Sequence, residues 1–256
     1  MTYRIASLVP SITETLFALG LGDQVVARTG FCIHPKPAVL AVPKVGGTKD
    51  VNLAKLAKLK PTHVILNPDE NTLETLAAIQ AFTNPPVILS PHPKTIADNV
   101  ALFKLLGDTF DAPIQAKNLA ERFQTCLSAV QAKPFKPLRV VYLIWAKPYM
   151  TVAANTYIAS ALAAFNMHAV PDVQAQAVGA SRYPVIDDLA STVRDQAANA
   201  VLLSTEPYPF SAQQAQVLQA ELGVPVHLID GEWTSWYGSR AIEALPALAA
   251  WRAQVK

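Results

Sequence analysis

Short apolar runs of strand length alternate with segments of helical periodicity in both halves of this chain, and the stretch between the halves, 95–133, contains no strand-like run at all. Alternation of this kind implies an α/β fold with mostly parallel strands, because a parallel pair needs a crossover connection and a helix is the usual one. In the first half, Arg4–Val9, Val25–Ala27, His63–Leu66 and Pro86–Leu89 read as strands. Ser11-Ile-Thr-Glu14 reads as a capping box opening a helix that stops near Gly20, and Leu53, Leu56 and Leu59 line a short helix ending before Pro61. A further helix is expected to start at Asn71-Thr-Leu-Glu74. In the second half, Leu138–Trp145, Ala200–Leu203 and Pro225–Ile229 read as strands. Asn155 is expected to cap a helix, Ser211-Ala-Gln-Gln214 to form a capping box, and Ser239 to open a last helix that Pro246 should kink.

The strandless middle carries two helical patterns. Ile96, Val100, Phe103 and Leu106 form one line, and Ala116, Leu119, Phe123, Cys126 and Val130 form the next, with Pro134 and Pro137 beyond it. A helix of about 20 residues spans roughly 30 Å, so this stretch suits a stiff spine. The expected organisation is an α/β lobe over 1–94, a helical spine over 95–133 and a second α/β lobe over 134–256. Two such lobes would leave a cleft, and ligands favour the carboxyl ends of parallel strands.

Composition narrows the function. Apolar residues make up 51% of the 256 and charged residues 16%, enough for a sizeable core, and the net charge of +2 leaves no nucleic-acid footprint. Cys32 and Cys126 are too few for a disulfide framework and are expected to be free, buried thiols. No basic, apolar leader is visible before the first strand-like run, and no apolar run approaches the ~20 residues of a membrane helix. The start therefore reads as that of a protein trimmed of its leader or of one that remains in the cytoplasm.

The loops after the strands are rich in proline and aromatic residues. Phe31-Cys-Ile-His-Pro35, Asn67-Pro-Asp-Glu-Asn71 and Pro91-His92-Pro93 lie in the first half. Trp145-Ala-Lys-Pro-Tyr149, Ser181-Arg182-Tyr183-Pro184, Ser204-Thr-Glu206-Pro-Tyr208-Pro-Phe210 and Glu232-Trp233-Thr-Ser-Trp236-Tyr237 lie in the second. Stiff loops lower the ordering cost of binding, and aromatic walls suit a flat or bulky ligand. A second reading is that these rings merely cover the sheet ends. Phosphate-loop, nucleophile-elbow and zinc-protease motifs are absent from the sequence. His63 and His227 read as structural. His34 and His92 are the candidates for a divalent-metal carrier, with Glu206 or Glu232 completing the site. A small-molecule enzyme using Glu206 or Glu232 as acid and base, beside Arg182 or Arg240, is the other alternative.

Arg4-Ile-Ala-Ser-Leu-Val-Pro-Ser-Ile-Thr-Glu-Thr-Leu-Phe-Ala-Leu-Gly20 resembles the opening of periplasmic cobalamin-binding proteins, as do Val45-Gly-Gly-Thr-Lys-Asp-Val-Asn-Leu53 and Leu59-Lys-Pro-Thr-His-Val-Ile65. Leu143-Ile-Trp-Ala-Lys-Pro-Tyr149, Ser181-Arg-Tyr-Pro184, Leu203-Ser-Thr-Glu-Pro-Tyr-Pro-Phe210 and Asp230-Gly-Glu-Trp-Thr-Ser-Trp-Tyr-Gly-Ser-Arg240 resemble the subgroup called helical backbone metal receptors. The resemblance implies two Rossmann-like lobes joined by a long rigid helix, a monomer without a resident cofactor, a periplasmic location and delivery of ligand to an ABC permease. The ligand it implies is a corrinoid such as cobalamin, a haem-like group or a ferric chelate. Phe31, Tyr183 and Glu232 stand where the family contacts its ligand. Thr48 replaces a ligand-contacting tryptophan. Ala54 replaces the first docking glutamate, and Asp187 keeps the second docking acid. The expected ligand-binding set is Phe31, His34, Thr48, Asn67, Trp145, Tyr149, Arg182, Tyr183, Glu206, Glu232, Trp233, Trp236 and Tyr237.

Overall fold

The computed structural model describes residues 3–176 and 179–255. The described residues fall into two compact units, one within 3–93, 98–124 and 237–242, the other within 94–97, 125–176, 179–236 and 243–255.

The first unit is built on a four-stranded parallel sheet. Its strands are β1 (Ile5–Ser7), β2 (Val25–Arg28), β3 (His63–Ile65) and β4 (Val87–Leu89), in the order β2-β1-β3-β4. The connecting helices are α1 (Pro10–Ala18), α2 (Leu53–Lys58) and α3 (Leu73–Gln80). Ala6, Leu8, Ala27, Val64 and Leu66 meet Leu56 and Ile79 in a closed core. The central strands β1 and β3, runs of small and β-branched residues, are largely buried, as a covered parallel sheet requires, while the edge strand β4 is partly exposed.

Two expected caps move. Helix α1 begins at Pro10, one residue before the proposed Ser11 box; the ring presets the helical φ at the first position, and Val9 is the extended residue before it. Ser11 thus sits inside the first turn with its hydroxyl buried, and Glu14 pairs with Arg240 at 2.7 Å. Thr72, not Asn71, caps α3 by accepting from the Thr75 N–H. Gly20 does end α1, with φ +77 and its N–H on the Phe17 carbonyl.

Two helices fill the strandless stretch: α4 (Asp98–Thr109) and α5 (Pro113–Gln131). Phe103 and Phe123 meet edge-on between them. The division between the two units falls inside α5, after Gln124.

The second unit repeats the plan with longer strands. Its sheet joins β5 (Leu138–Leu143), β7 (Met167–Ala169), β9 (Ala200–Ser204) and β10 (Val226–Ile229), all parallel, in the order β10-β9-β5-β7. A small antiparallel pair, β6 (Tyr149–Met150) with β8 (Val185–Ile186), lies outside that sheet. The helices are α6 (Tyr157–Ala163), α7 (Leu189–Asp195), α8 (Ala212–Leu222), α9 (Gly231–Ser235) and, from Glu243 onward, α10 (Arg240–Arg252). The Ser211 capping box is present, and Pro246 lies inside α10. Thr156 caps α6 in place of Asn155, whose side chain instead brackets the Ala175 main chain through N–H and C=O. Cys32 is a free, buried thiol as expected; Cys126 is also free but only half-buried, because its position on α5 leaves one side open.

Candidate functional site

Parallel strands send all their outgoing loops to one edge of the sheet, and each unit gathers its proline- and aromatic-rich loops there. In the first unit the loop after β2 carries Phe31, which is 61% exposed. The ring is not loose. Its edge lies against Gly47, where an added Cβ would stand 3.4 Å from Phe31 Cε2, and Gly30 N–H bonds the Gly46 carbonyl at 2.7 Å. Beneath it, Arg28 is fully buried, with Nε on the Val42 carbonyl and Nη1 on the carbonyls of Thr29 and Cys32. The sequence reading passed over Arg28, which looks like the polar end of a strand.

The loop after β3 is braced by its own amides. Asn67 is buried; its Oδ1 accepts from Asp69 N–H and its Nδ2 donates to the Pro91 carbonyl. Asn71 Oδ1 accepts from Asn67 N–H, and its Nδ2 donates to the carbonyls of Leu8 and Thr48. Asn67 and Asn71 therefore lock the segments after all four strands together. Thr48 is half-buried and joins this lattice through its carbonyl. His92 Nε2 stands 3.0 Å from Asp69 Oδ2, and Lys49 Nζ donates to the Asp69 carbonyl. His34 is half-buried on the Phe31 loop. Among the described residues no group of three metal-ligating side chains converges, so His34 and His92 belong to no metal cluster. Tyr237, on the segment assigned to this unit, is buried.

In the second unit Trp145 follows β5, is 41% exposed, and stands edge-on to Tyr208 with ring centroids 5.5 Å apart. Tyr208 in turn packs on Phe210 at 4.6 Å. Tyr149, on β6, and Tyr183 are half-buried. Arg182, also in the expected ligand-binding set, is 1% exposed; its Nη1 donates to the Asn155 carbonyl. A guanidinium so placed holds loops in position and offers little surface to a ligand.

The end of β10 is the most constrained part of this face. Asp230 caps the short α9 by accepting from Glu232 N–H, which fixes the direction of Glu232 and Trp233, both half-buried. Glu206, from the loop after β9, accepts from Ser235 Oγ at 3.0 Å and from Trp236 Nε1 at 2.7 Å. Trp236, a member of the expected ligand-binding set, is 7% exposed, with its indole N–H donated to this carboxylate. Gly231 permits the approach: a Cβ there would lie 2.5 Å from both Glu206 Cγ and Ser204 Oγ. Tyr142, buried below, bonds Thr234, and burial pushes its phenol up to about 12. Asp187 is exposed, beside the Asp188 that caps α7.

Burial raises the Glu206 carboxyl above its ordinary value, the Ser235 and Trp236 hydrogen bonds pull it partly back, and the charges of Glu232 and Asp230 raise it again. A raised carboxyl favours the folded state while protonated and costs stability as it ionises. Glu206→Gln keeps an acceptor for Trp236 and Ser235 without the ionisation. Wild type and variant should therefore match below the ordinary glutamate value of 4.5. Above it the wild type should fall progressively behind as pH rises to 7. Urea unfolding of both proteins at half-unit pH steps checks this; a difference independent of pH would contradict it.

The likeness to known proteins agrees with this geometry. A model of the periplasmic binding protein family matches residues 5–219. The vitamin B12-binding protein of Pectobacterium atrosepticum is 26% identical over 263 residues, covering 99% of this chain and 89% of that protein. The vitamin B12-binding protein of Vibrio parahaemolyticus is 30% identical over 156 residues, covering 60% of this chain and 56% of that one. Among solved structures, the periplasmic vitamin B12 binding protein BtuF of Vibrio cholerae aligns with a TM-score of 0.81 at 22% identity, covering 99% of this chain and 98% of that one. The periplasmic heme-binding protein BhuT in complex with two hemes aligns at 0.80 and 18% identity, covering 98% of each chain.

Proposed function

The chain belongs to the periplasmic binding protein family, and from that premise we propose that it captures a flat, metal-bearing macrocycle, a corrinoid or a haem-like group, for an ABC importer. It is a binding protein rather than an enzyme. The observation that carries the ligand class is the pair of exposed rings, Phe31 and Trp145, each held stiffly on a loop at the carboxyl edge of its sheet. A large apolar ring left in water but fixed in orientation suits the face of a macrocycle better than a bare ion. Vitamin B12- and heme-binding relatives support the same class. A divalent-metal carrier is disfavoured, since His92 is engaged by Asp69 and no third ligand joins it among the described residues.

Tyr149, Tyr183, Glu232 and Trp233 are proposed as further contacts, and Arg182, Glu206, Asn67 and Trp236 as the residues that hold those contacts in place. The family is periplasmic, and no helix among the described residues is long and apolar enough to cross a membrane. A monomeric state, periplasmic residence and permease docking through the exposed Asp187 belong to the same proposal.

Thermal-shift screening with cobalamin, haemin, a ferric siderophore and divalent zinc and manganese tests the ligand class. A ligand at roughly 100 times its Kd stabilises a one-site protein by about 2.7 kcal/mol. The expected result is a saturable shift with cobalamin or haemin that weakens in Phe31→Ala and in Trp145→Ala. A shift with zinc or manganese alone, lost in His92→Ala, would overturn the reading.

A further inference from the structure

The second unit has a cavity of about 590 Å³ at the sheet edge opposite its aromatic loops. Leu138, which opens β5, and Asn199, which precedes β9, stand on its wall, so it lies at the amino ends of the strands. Its charged lining is all of one sign: Lys133, Lys136 and Arg252. None of the described lining residues is acidic.

Arg252 is the unusual group. It is 5% exposed, and it forms no ion pair with any described carboxylate. Nη1 donates to the Val255 carbonyl and Nη2 to the Lys136 carbonyl, while Nε has no partner among the described residues. The guanidinium also lies 5.7 Å from the centre of the Phe135 ring. Two carbonyls and a ring face orient this charge without neutralising it, and a buried charge without a counter-charge is costly. Burial accordingly disfavours its charged form. The apolar part of the lining is made by Phe135, Leu138 and Val255, with the Phe135 ring beside Arg252. The volume lies within the usual range of small-molecule sites.

We propose that this cavity binds a small organic oxyanion, a carboxylate or phosphate carried on an apolar body, with Lys133, Lys136 and Arg252 meeting the charge and Phe135 the body. The site is separate from the aromatic loops and does not rest on the macrocycle reading. An anion here would supply the counter-charge that Arg252 does not find among the described residues, and the two lysines would steer it in.

Titration of the intact protein with phenyl phosphate, benzoate and inorganic phosphate, each against sodium chloride at equal ionic strength, tests the proposal by calorimetry and melting temperature. Saturable binding of phenyl phosphate or benzoate is expected, tighter than that of inorganic phosphate, with no matching response to chloride. Whichever of the two aryl probes binds more tightly identifies phosphate or carboxylate as the preferred headgroup. Lys133→Ala with Lys136→Ala, both exposed positions that spare the fold, should weaken binding by at least about tenfold. Arg252→Gln is the sharper variant, and the lysine pair keeps the test decisive should it unfold. No saturable binding of either aryl anion, equal affinity for inorganic phosphate, or undiminished binding in the double-lysine variant would overturn the proposal.

Discussion

Arg28→Met is expected to cost about 3 to 5 kcal/mol of stability, the upper range for a single substitution. The guanidinium is fully buried at the end of β2, and its hydrogen bonds go to the main-chain carbonyls of Val42, Thr29 and Cys32. Methionine matches the length of the stem and supplies no donor. The buried carbonyls of Val42 and Cys32 then lose this donor, at about 1 to 3 kcal/mol each when water cannot reach them, while the Thr29 carbonyl keeps the Cys32 N–H. The penalty is lowered by removing a buried charge, which is why the total stays below the simple sum. Arg28→Lys should recover only part of the loss, because one ammonium cannot serve carbonyls on both sides of a planar fork. Urea midpoints of the three proteins check this; a loss under about 1 kcal/mol in the methionine variant would show that the carbonyls find water. The same substitution should weaken the proposed macrocycle binding beyond its effect on stability. The Thr29–Cys32 turn that Arg28 holds is the turn that carries Phe31, so binding measured well below the melting temperature should still fall.

Arg28 also shows where sequence reasoning stops. The strands were legible because parallel sheets buried on both faces are written as compact apolar runs, such as Val64-Ile65-Leu66 and Ala200–Leu203. The Ser211 box was legible because its two partners lie three residues apart. What failed was non-local. The pairing of Tyr149–Met150 with Val185–Ile186 joins segments of two residues each, too short to carry a period. Asp230 capping α9 was hidden because five residues do not make a helical pattern. Ser11 was misread as a cap because the rule for serine was applied without the stronger rule for Pro10.

The loop groups divide the same way. Of the expected ligand-binding set, Phe31 and Trp145 are exposed, whereas Arg182, Asn67 and Trp236 are buried. Polar residues in stiff loops either meet a ligand or hold the loop, and both uses draw on the same residue types. The deciding quantity is whether main-chain carbonyls and N–H groups from distant positions converge on the side chain. Asn155 reaching Ala175 and Arg182 reaching Asn155 are contacts of that kind, set by folding and invisible in local spacing.

Gly238→Ala is the second large loss, expected at about 2 to 5 kcal/mol, and it arises from two independent causes. The residue has φ +83, a left-handed conformation that costs a side-chain-bearing residue about 1 to 2 kcal/mol. The new Cβ would also stand 2.1 Å from Thr15 Oγ1. That hydroxyl cannot step aside freely, because it donates to the Ser11 carbonyl and accepts from Ser239 N–H. Overpacking against a held atom adds about 1 to 3 kcal/mol. The neighbouring contacts fail together: Gly238 N–H bonds Asn99 Oδ1, and Arg240 pairs with Glu14 at 2.7 Å on a helix that opens just beyond. All of these groups belong to the first unit, although residues 125–236 and 243–256 on either side of the segment belong to the second. Thr15→Ser would leave the hydroxyl and its bonds in place, whereas Thr15→Ala combined with Gly238→Ala removes the obstructing oxygen and keeps the left-handed strain. The double variant should therefore regain part of the loss relative to Gly238→Ala alone, a coupling that a double-mutant cycle of urea midpoints measures directly. Strict additivity of the two substitutions would mean that backbone strain alone accounts for the glycine.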